Sequence, residues 1–211
     1  MVNGAKTYHY TNPYFAIPYS YNMLSGVADK QWPQLQPRFT VAGSLEPLIP
    51  AAYQKNLKIA EAGKVLTVTY DQDAMDKATS GNDPIKDTRV TSSTAYTFEP
   101  GQITRVDTYT PGAAFAIGKI EMEFGSYSDG VNALGNNKFS YTNGDVQGFE
   151  VEGLQDCAPV DVSANVDYNT PIGALKTSIR CSAPAFSFAT PLTIKWVLKY
   201  RSPSVASIAP H

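Results

Sequence analysis

Residues Arg89 to Thr110 read RVTSSTAYTFEPGQITRVDTYT. Two runs rich in β-branched and aromatic residues flank Glu99-Pro100-Gly101-Gln102. Proline presets φ at the second position of a turn, and glycine takes the positive φ that the third position of a type II turn needs. The stretch predicts a long β-hairpin and sets the class as all-β. With Glu99 opposite Gln102, Tyr96 falls opposite Arg105 and Phe98 opposite Ile103. Tyr96, Phe98, Ile103, Arg105, Asp107 and Tyr109 then share one face. The small Ala95, Thr97, Thr104, Val106 and Thr108 take the other, which is expected to pack on a second sheet. A Pro-Gly turn set in a longer loop shifts this register by one, so both registers stay open.

The same alternation recurs outward from the hairpin. Leu66, Val68 and Tyr70 share a face, as do Ile120, Met122 and Phe124. Val160, Val162, Ala164 and Val166 alternate with polar residues, and so do Leu192, Ile194, Trp196, Leu198 and Tyr200. Trp196 is expected in the core. Thr142-Asn143-Gly144-Asp145 predicts a type I′ turn. Roughly eight to ten strands result, the spacing of an antiparallel β-sandwich or jelly roll. No βαβ alternation occurs.

Residues 7–21, TYHYTNPYFAIPYSY, are too proline-rich for helix and too aromatic for a solvated tail. Residues 23–50 read as a Pro-rich loop. Residues 51–62 fit either a short helix stopped by Gly63 or a strand at Asn56–Ala60. The expected organisation is an irregular Tyr/Pro-rich segment at 1–63 packed on the sheet, followed by the sandwich at 64–211.

Composition narrows the partners. The chain has 211 residues and a net charge of −2, with Lys and Arg scattered. No basic run points to nucleic acid, and no apolar run reaches the length of a membrane span. The opening MVNGAKTYHY lacks the apolar stretch of a signal peptide. The chain is therefore read as a segment of a longer secreted or periplasmic protein.

Catalytic and metal signatures are weak. Asp71-Gln72-Asp73-Ala74-Met75-Asp76 starts like a calcium loop, but Met75 stands where an oxygen ligand belongs. It is read as a solvated turn. His9 and His211 are the only histidines, and the cysteines lack a CxxC spacing. No metal and no cofactor are expected. No Gly-x-Ser-x-Gly or phosphate loop occurs. Glu121 and Glu123 share a face, as on any solvated strand.

The remaining candidates are aromatic and cationic. On the first hairpin face, Arg105 beside Tyr96 and Tyr109 suits a carboxylate-bearing sugar, since a guanidinium matches a carboxylate bidentately and rings offer stacking surface. The alternative is an Arg105–Asp107 pair on a solvated face. His9 and Tyr10 combine proton donor and acceptor chemistry with sugar-stacking surface. Trp32, in a Pro-flanked loop, is a further candidate sugar platform, the alternative being a ring that fills a gap in the surface. Cys157 and Cys181 fall in neighbouring strands and fit either a disulfide or buried thiols.

TSSTAYTFEPGQITRVDTYTP, residues 91–111, resembles a segment in the C-terminal β-domain of heparinase II/III-like polysaccharide lyases. Leu57–Tyr70 and Ile120–Asp129 are compatible with it, which brings the resemblance to about a third of the chain. The resemblance implies antiparallel β-sheets joined to a helical toroid, and cleavage of uronate polymers by β-elimination. Its Tyr and His catalysts come from the toroid and its junction with the sheets, so no catalytic residue is carried over. The expected function is an extracellular β-sandwich module that contacts an acidic polysaccharide or oligosaccharide, beside a helical domain of the same parent protein. One alternative is a small self-sufficient lyase. Another is a non-catalytic structural or assembly domain.

Overall fold

The computed structural model describes residues 2–3, 6–7, 35–44, 47–51, 53–77, 85–170 and 173–201. Two antiparallel sheets stack as a sandwich. The first runs Asp129–Gly135 (β12), Lys138–Asn143 (β13), Val146–Glu152 (β14), Leu192–Tyr200 (β20), Gln102–Pro111 (β10), Val90–Glu99 (β9), Val65–Gln72 (β6), Lys55–Ala62 (β5). The second runs Gln155–Asp161 (β15), Thr177–Ala183 (β18), Phe115–Ser126 (β11), Arg38–Val41 (β3), Pro47–Pro50 (β4), Met75–Lys77 (β7), Ile85–Asp87 (β8). Phe186–Phe188 (β19) also pairs with β11. Two short pairs complete the strands: Val2–Asn3 (β1) with Lys6–Thr7 (β2), and Asn169–Thr170 (β16) with Gly173–Ala174 (β17). Among the described residues there is no α-helix, only a 3-10 turn at Val166–Tyr168.

The β9–β10 hairpin takes the first of its two registers. Glu99 pairs with Gln102, Phe98 with Ile103 and Tyr96 with Arg105. Gly101 has φ 79°, as the third position of a type II turn demands. Its faces are the reverse of the expectation. Tyr96, Ile103, Arg105, Asp107 and Tyr109 are buried between the sheets, and the Ala/Thr/Val face looks outward. Phe39 of the second sheet packs on Tyr109 with ring centroids 4.8 Å apart. Phe124 and Phe149 make the same kind of cross-sheet contact at 4.4 Å. Trp196 is fully buried, as expected.

Several local readings change. The stretch expected as a Pro-rich loop supplies β3 and β4, and of the two readings left open for residues 51–62 the strand is the one taken, over Lys55–Ala62. Both sheets therefore draw on residues before 64. Pro47 and Pro50 bracket Leu48 and Ile49, both buried, so packing outweighs the proline signal there. Asp71–Asp76 is not a solvated turn. It carries the chain from β6 in one sheet to β7 in the other, with Gln72, Ala74, Met75 and Asp76 buried. The alternation from Val160 to Val166 does not continue as strand. β15 stops at Asp161, whose Oδ1 accepts from the Ser163 N–H at 2.9 Å and its hydroxyl at 2.6 Å. Val166 is then exposed. Cys157 and Cys181 form a disulfide between adjacent β15 and β18.

Candidate functional site

The ligand candidates on the hairpin form a closed network in the core. β10 places Arg105 and Asp107 two residues apart, hence on one face. Their side chains are 2% and 1% exposed, and no ligand reaches them without opening the sandwich. Arg105 Nε lies 2.9 Å from Asp107 Oδ1 and 2.7 Å from Oδ2. Arg105 Nη1 donates to the Tyr96 hydroxyl at 2.7 Å, and Thr94 Oγ1 donates to Asp107 Oδ1 at 2.7 Å. The guanidinium carbon is 5.1 Å from the Tyr96 ring centre. Burial opposes the charge on Arg105, but Asp107 and the surrounding tyrosines outweigh it and hold its pKa well above the ordinary value. Burial also raises the Tyr96 and Tyr109 phenols, which stay neutral. Tyr96, Arg105 and Tyr109 are thus core groups. His9, Tyr10 and Trp32 lie outside the described residues.

Two surface hollows are lined by described residues. One of about 540 Å³ opens at an end of the sandwich, between β12 and β15. It is lined by Asp129, Asp161 and Lys176 with Val131, Pro159 and Val160. Lys176 Nζ sits 2.8 Å from Asp129 Oδ2, and with Asn143 it holds the Asp129 pKa below the usual range. The cation is already engaged and two carboxylates face the space, so an anionic ligand is repelled.

The second hollow, about 280 Å³, lies on the outer face of the first sheet. Asn56 and Lys58 on β5, Thr69 and Asp71 on β6, Ser93 on β9 and Thr108 on β10 line it. Strand pairing builds this surface in rows. Thr67, Thr97 and Thr104 stand in line across β6, β9 and β10. Ser93, Thr108 and Thr193 form a second row across β9, β10 and β20. Alternation turns these hydroxyls outward because the partners between them are core. Lys55 is held by Asp73, and Asn56 Nδ2 donates to Asp71 Oδ2 at 2.9 Å. Lys58 has no ion-pair partner among the described residues. This hollow combines the Lys58 ammonium with the Asp71 carboxylate, which accepts from Asn56, and with serine and threonine hydroxyls, so one cation balances one anion beside the hydroxyls a polyhydroxylated ligand would meet. Sequence reading missed it, since it assigned the Thr-rich face to the interior.

No family model matches the chain, and no curated protein does. The chain is similar to a solved structure of heparinase III with a TM-score of 0.47 and 13% identity, over 80% of this chain and 24% of that one. It is similar to heparan sulfate lyase HepC from Pedobacter heparinus with a TM-score of 0.44 and 9% identity, over 72% of this chain and 22% of that one. The chain thus spans about a quarter or less of the lengths of the heparinase III and heparan sulfate lyase structures it is similar to.

Proposed function

We propose that this chain is a non-catalytic β-sandwich module of a polysaccharide-lyase-like protein, and that it contacts an acidic, uronate-containing polysaccharide. The observation that carries the reading is the outer hollow, where Lys58 stands beside in-register rows of serine and threonine hydroxyls. Lys58 takes the uronate carboxylate in a charge-assisted hydrogen bond. Asn56, Thr69, Ser93 and Thr108 exchange hydrogen bonds with ring hydroxyls. A single exposed ion pair adds little, so binding is weak and falls with added salt. The Cys157–Cys181 disulfide suits an oxidising compartment, in line with a secreted or periplasmic location. A helical domain in the same parent protein supplies any catalysis.

Calorimetry with uronate oligosaccharides and neutral oligosaccharides of equal length tests this. The acidic series is expected to bind more tightly, Lys58→Arg to keep that preference and Lys58→Ala to lose it. Equal affinity for both series, or no response to Lys58→Ala, refutes the proposal. Release of unsaturated uronate by the chain alone, read by ultraviolet absorbance, refutes its non-catalytic part.

A further inference from the structure

Asn-Gly occurs twice in the chain, at 3–4 and at 143–144, and only the second lies wholly within the described residues. Asn143 is the last residue of β13, and Gly144 and Asp145 carry the chain to β14 outside the strand ladder. All three are exposed. The Gly144 N–H donates to no group among the described residues. Glycine also sets no side chain beside its own nitrogen. Asn143 Nδ2 donates to Asp129 Oδ1 at 2.6 Å, in an exposed bond for which water competes. Other asparagines are placed differently. Asn132 precedes Ala133 inside β12, and Asn137 precedes Lys138 of β13 with its amide tied to the Leu154 carbonyl at 2.8 Å.

We propose that Asn143 is a site of spontaneous modification, converted to aspartate and isoaspartate through a succinimide with Gly144. The Gly144 nitrogen loses its proton to hydroxide and bonds to Asn143 Cγ. The Cγ–Nδ2 bond breaks, and Nδ2 leaves as ammonia. Water then opens the ring. Addition at Cγ restores the ordinary backbone and gives aspartate. Addition at the main-chain carbonyl gives isoaspartate, whose backbone runs through Cβ and Cγ and is one carbon longer. One water enters and one ammonia leaves, with no oxidant or reductant. Either product replaces a hydrogen-bond donor to Asp129 with a carboxylate. The register sets residue 143 directly opposite Asp129, where like charges are destabilising. Lys176, 2.8 Å from Asp129 Oδ2, is then shared between two carboxylates, and Asp161 is near enough to Asp129 to feel its charge. β12 is the edge of its sheet and pairs only with β13 among the described strands. The reaction therefore loosens that edge and adds negative charge beside the hollow between β12 and β15.

Incubation of the folded full chain at mildly alkaline pH, followed by peptide mass mapping, tests the proposal. Asn143 is expected to show the mass change of an amide-to-acid exchange more than about tenfold faster than Asn132 or Asn137. Its rate is expected to rise with pH, because the nucleophile is a deprotonated amide. Part of the product is expected to accept methyl groups from an isoaspartyl methyltransferase, and Asn143→Gln to abolish that labelling at this position. Gly144→Ala is the wrong control, since a Cβ there would lie 2.3 Å from Ser128 Oγ. The chain unfolded in urea supplies the rate set by sequence alone. A folded rate within about tenfold of it supports the proposal, and a folded rate below that range overturns it. The structural consequence is read separately. Asn143→Asp is expected to lower the melting temperature at low salt, less so at high salt, and to speed amide exchange in β12. An unchanged melting temperature with unchanged exchange overturns that part.

Discussion

Arg105 and Asp107 show how two residues of spacing turn a surface motif into a core one. A lone guanidinium does not enter an apolar interior, but one with a carboxylate on the same strand face carries its partner with it. Removing one partner leaves the other charge buried and alone. Asp107→Ala is expected to cost about 3–5 kcal/mol in urea unfolding. Replacing the pair together by Met and Leu is expected to cost far less; equal losses would show that the pair itself stabilises the core. Asp87 offers a second test. Its carboxylate is buried and accepts from Arg89 Nη2 at 2.6 Å, and hydrogen bonding to Arg89 holds its pKa below the ordinary carboxylate range. A depressed folded pKa adds stability above the unfolded value that is lost as pH falls through the folded one. Asp87→Asn is expected to flatten the acid limb of melting temperature against pH below about pH 4, leaving its shape at neutral pH unchanged. A parallel downward shift at all pH values would refute this. The pairing of Tyr96 with Arg105 was legible in the sequence; which face turned inward was not. Alternation reports which residues share a side, and only the aromatic face of the second sheet, with Phe39 against Tyr109, decides which side is buried.

Turns define the elements, and here the sequence signals are met unevenly. Pro100-Gly101 closes its hairpin as written. Asn143-Gly144 does not form the type I′ turn its sequence suggests, because only Gly144 has positive φ. Ser128 intervenes: its hydroxyl accepts from the Val146 N–H at 3.0 Å, and a Cβ on residue 144 would lie 2.3 Å from its Oγ. The type I′ geometry instead occurs at Asn136-Asn137, with φ 50° and 54°, between paired Gly135 and Lys138. Glycine is the usual second residue of such a turn, yet the chain uses asparagine. The reason is tertiary. Asn137 Nδ2 donates to the Leu154 carbonyl at 2.8 Å, tying the turn to the segment between β14 and β15. Relief of positive φ is worth about 1 kcal/mol, and an unpaired, partly buried carbonyl costs about 1–3 kcal/mol. Asn137→Gly is therefore expected to lower the melting temperature despite improving the turn, and a rise would show that the hydrogen bond is dispensable.

Across the whole molecule, the sandwich class was legible because alternation survives in nearly every long strand, while its extent and its outer hollow were not. β3, β4, β7 and β8 are three or four residues long and too short to show a period. The hollow is built by β5, β6, β9 and β10, and its hydroxyl rows continue onto β20, a neighbour that lies far away in sequence. The disulfide acts at this scale. It joins β15, the edge of the second sheet, to β18, and closes a loop with a sequence separation of 24. In the chain-entropy treatment a loop of that size stabilises by about 3 kcal/mol. Among the described strands β15 pairs only with β18, whereas Trp196 sits in the central β20 of the other sheet. Reduction should therefore loosen one edge before it unfolds the core. The expected result is a lower melting temperature, with faster amide exchange confined at first to β15 and the Trp196 environment unchanged at room temperature. An unaltered melting temperature after verified reduction would show that native packing already holds β15 in place. Simultaneous loss of both signals would show that the edge and the core unfold as one unit.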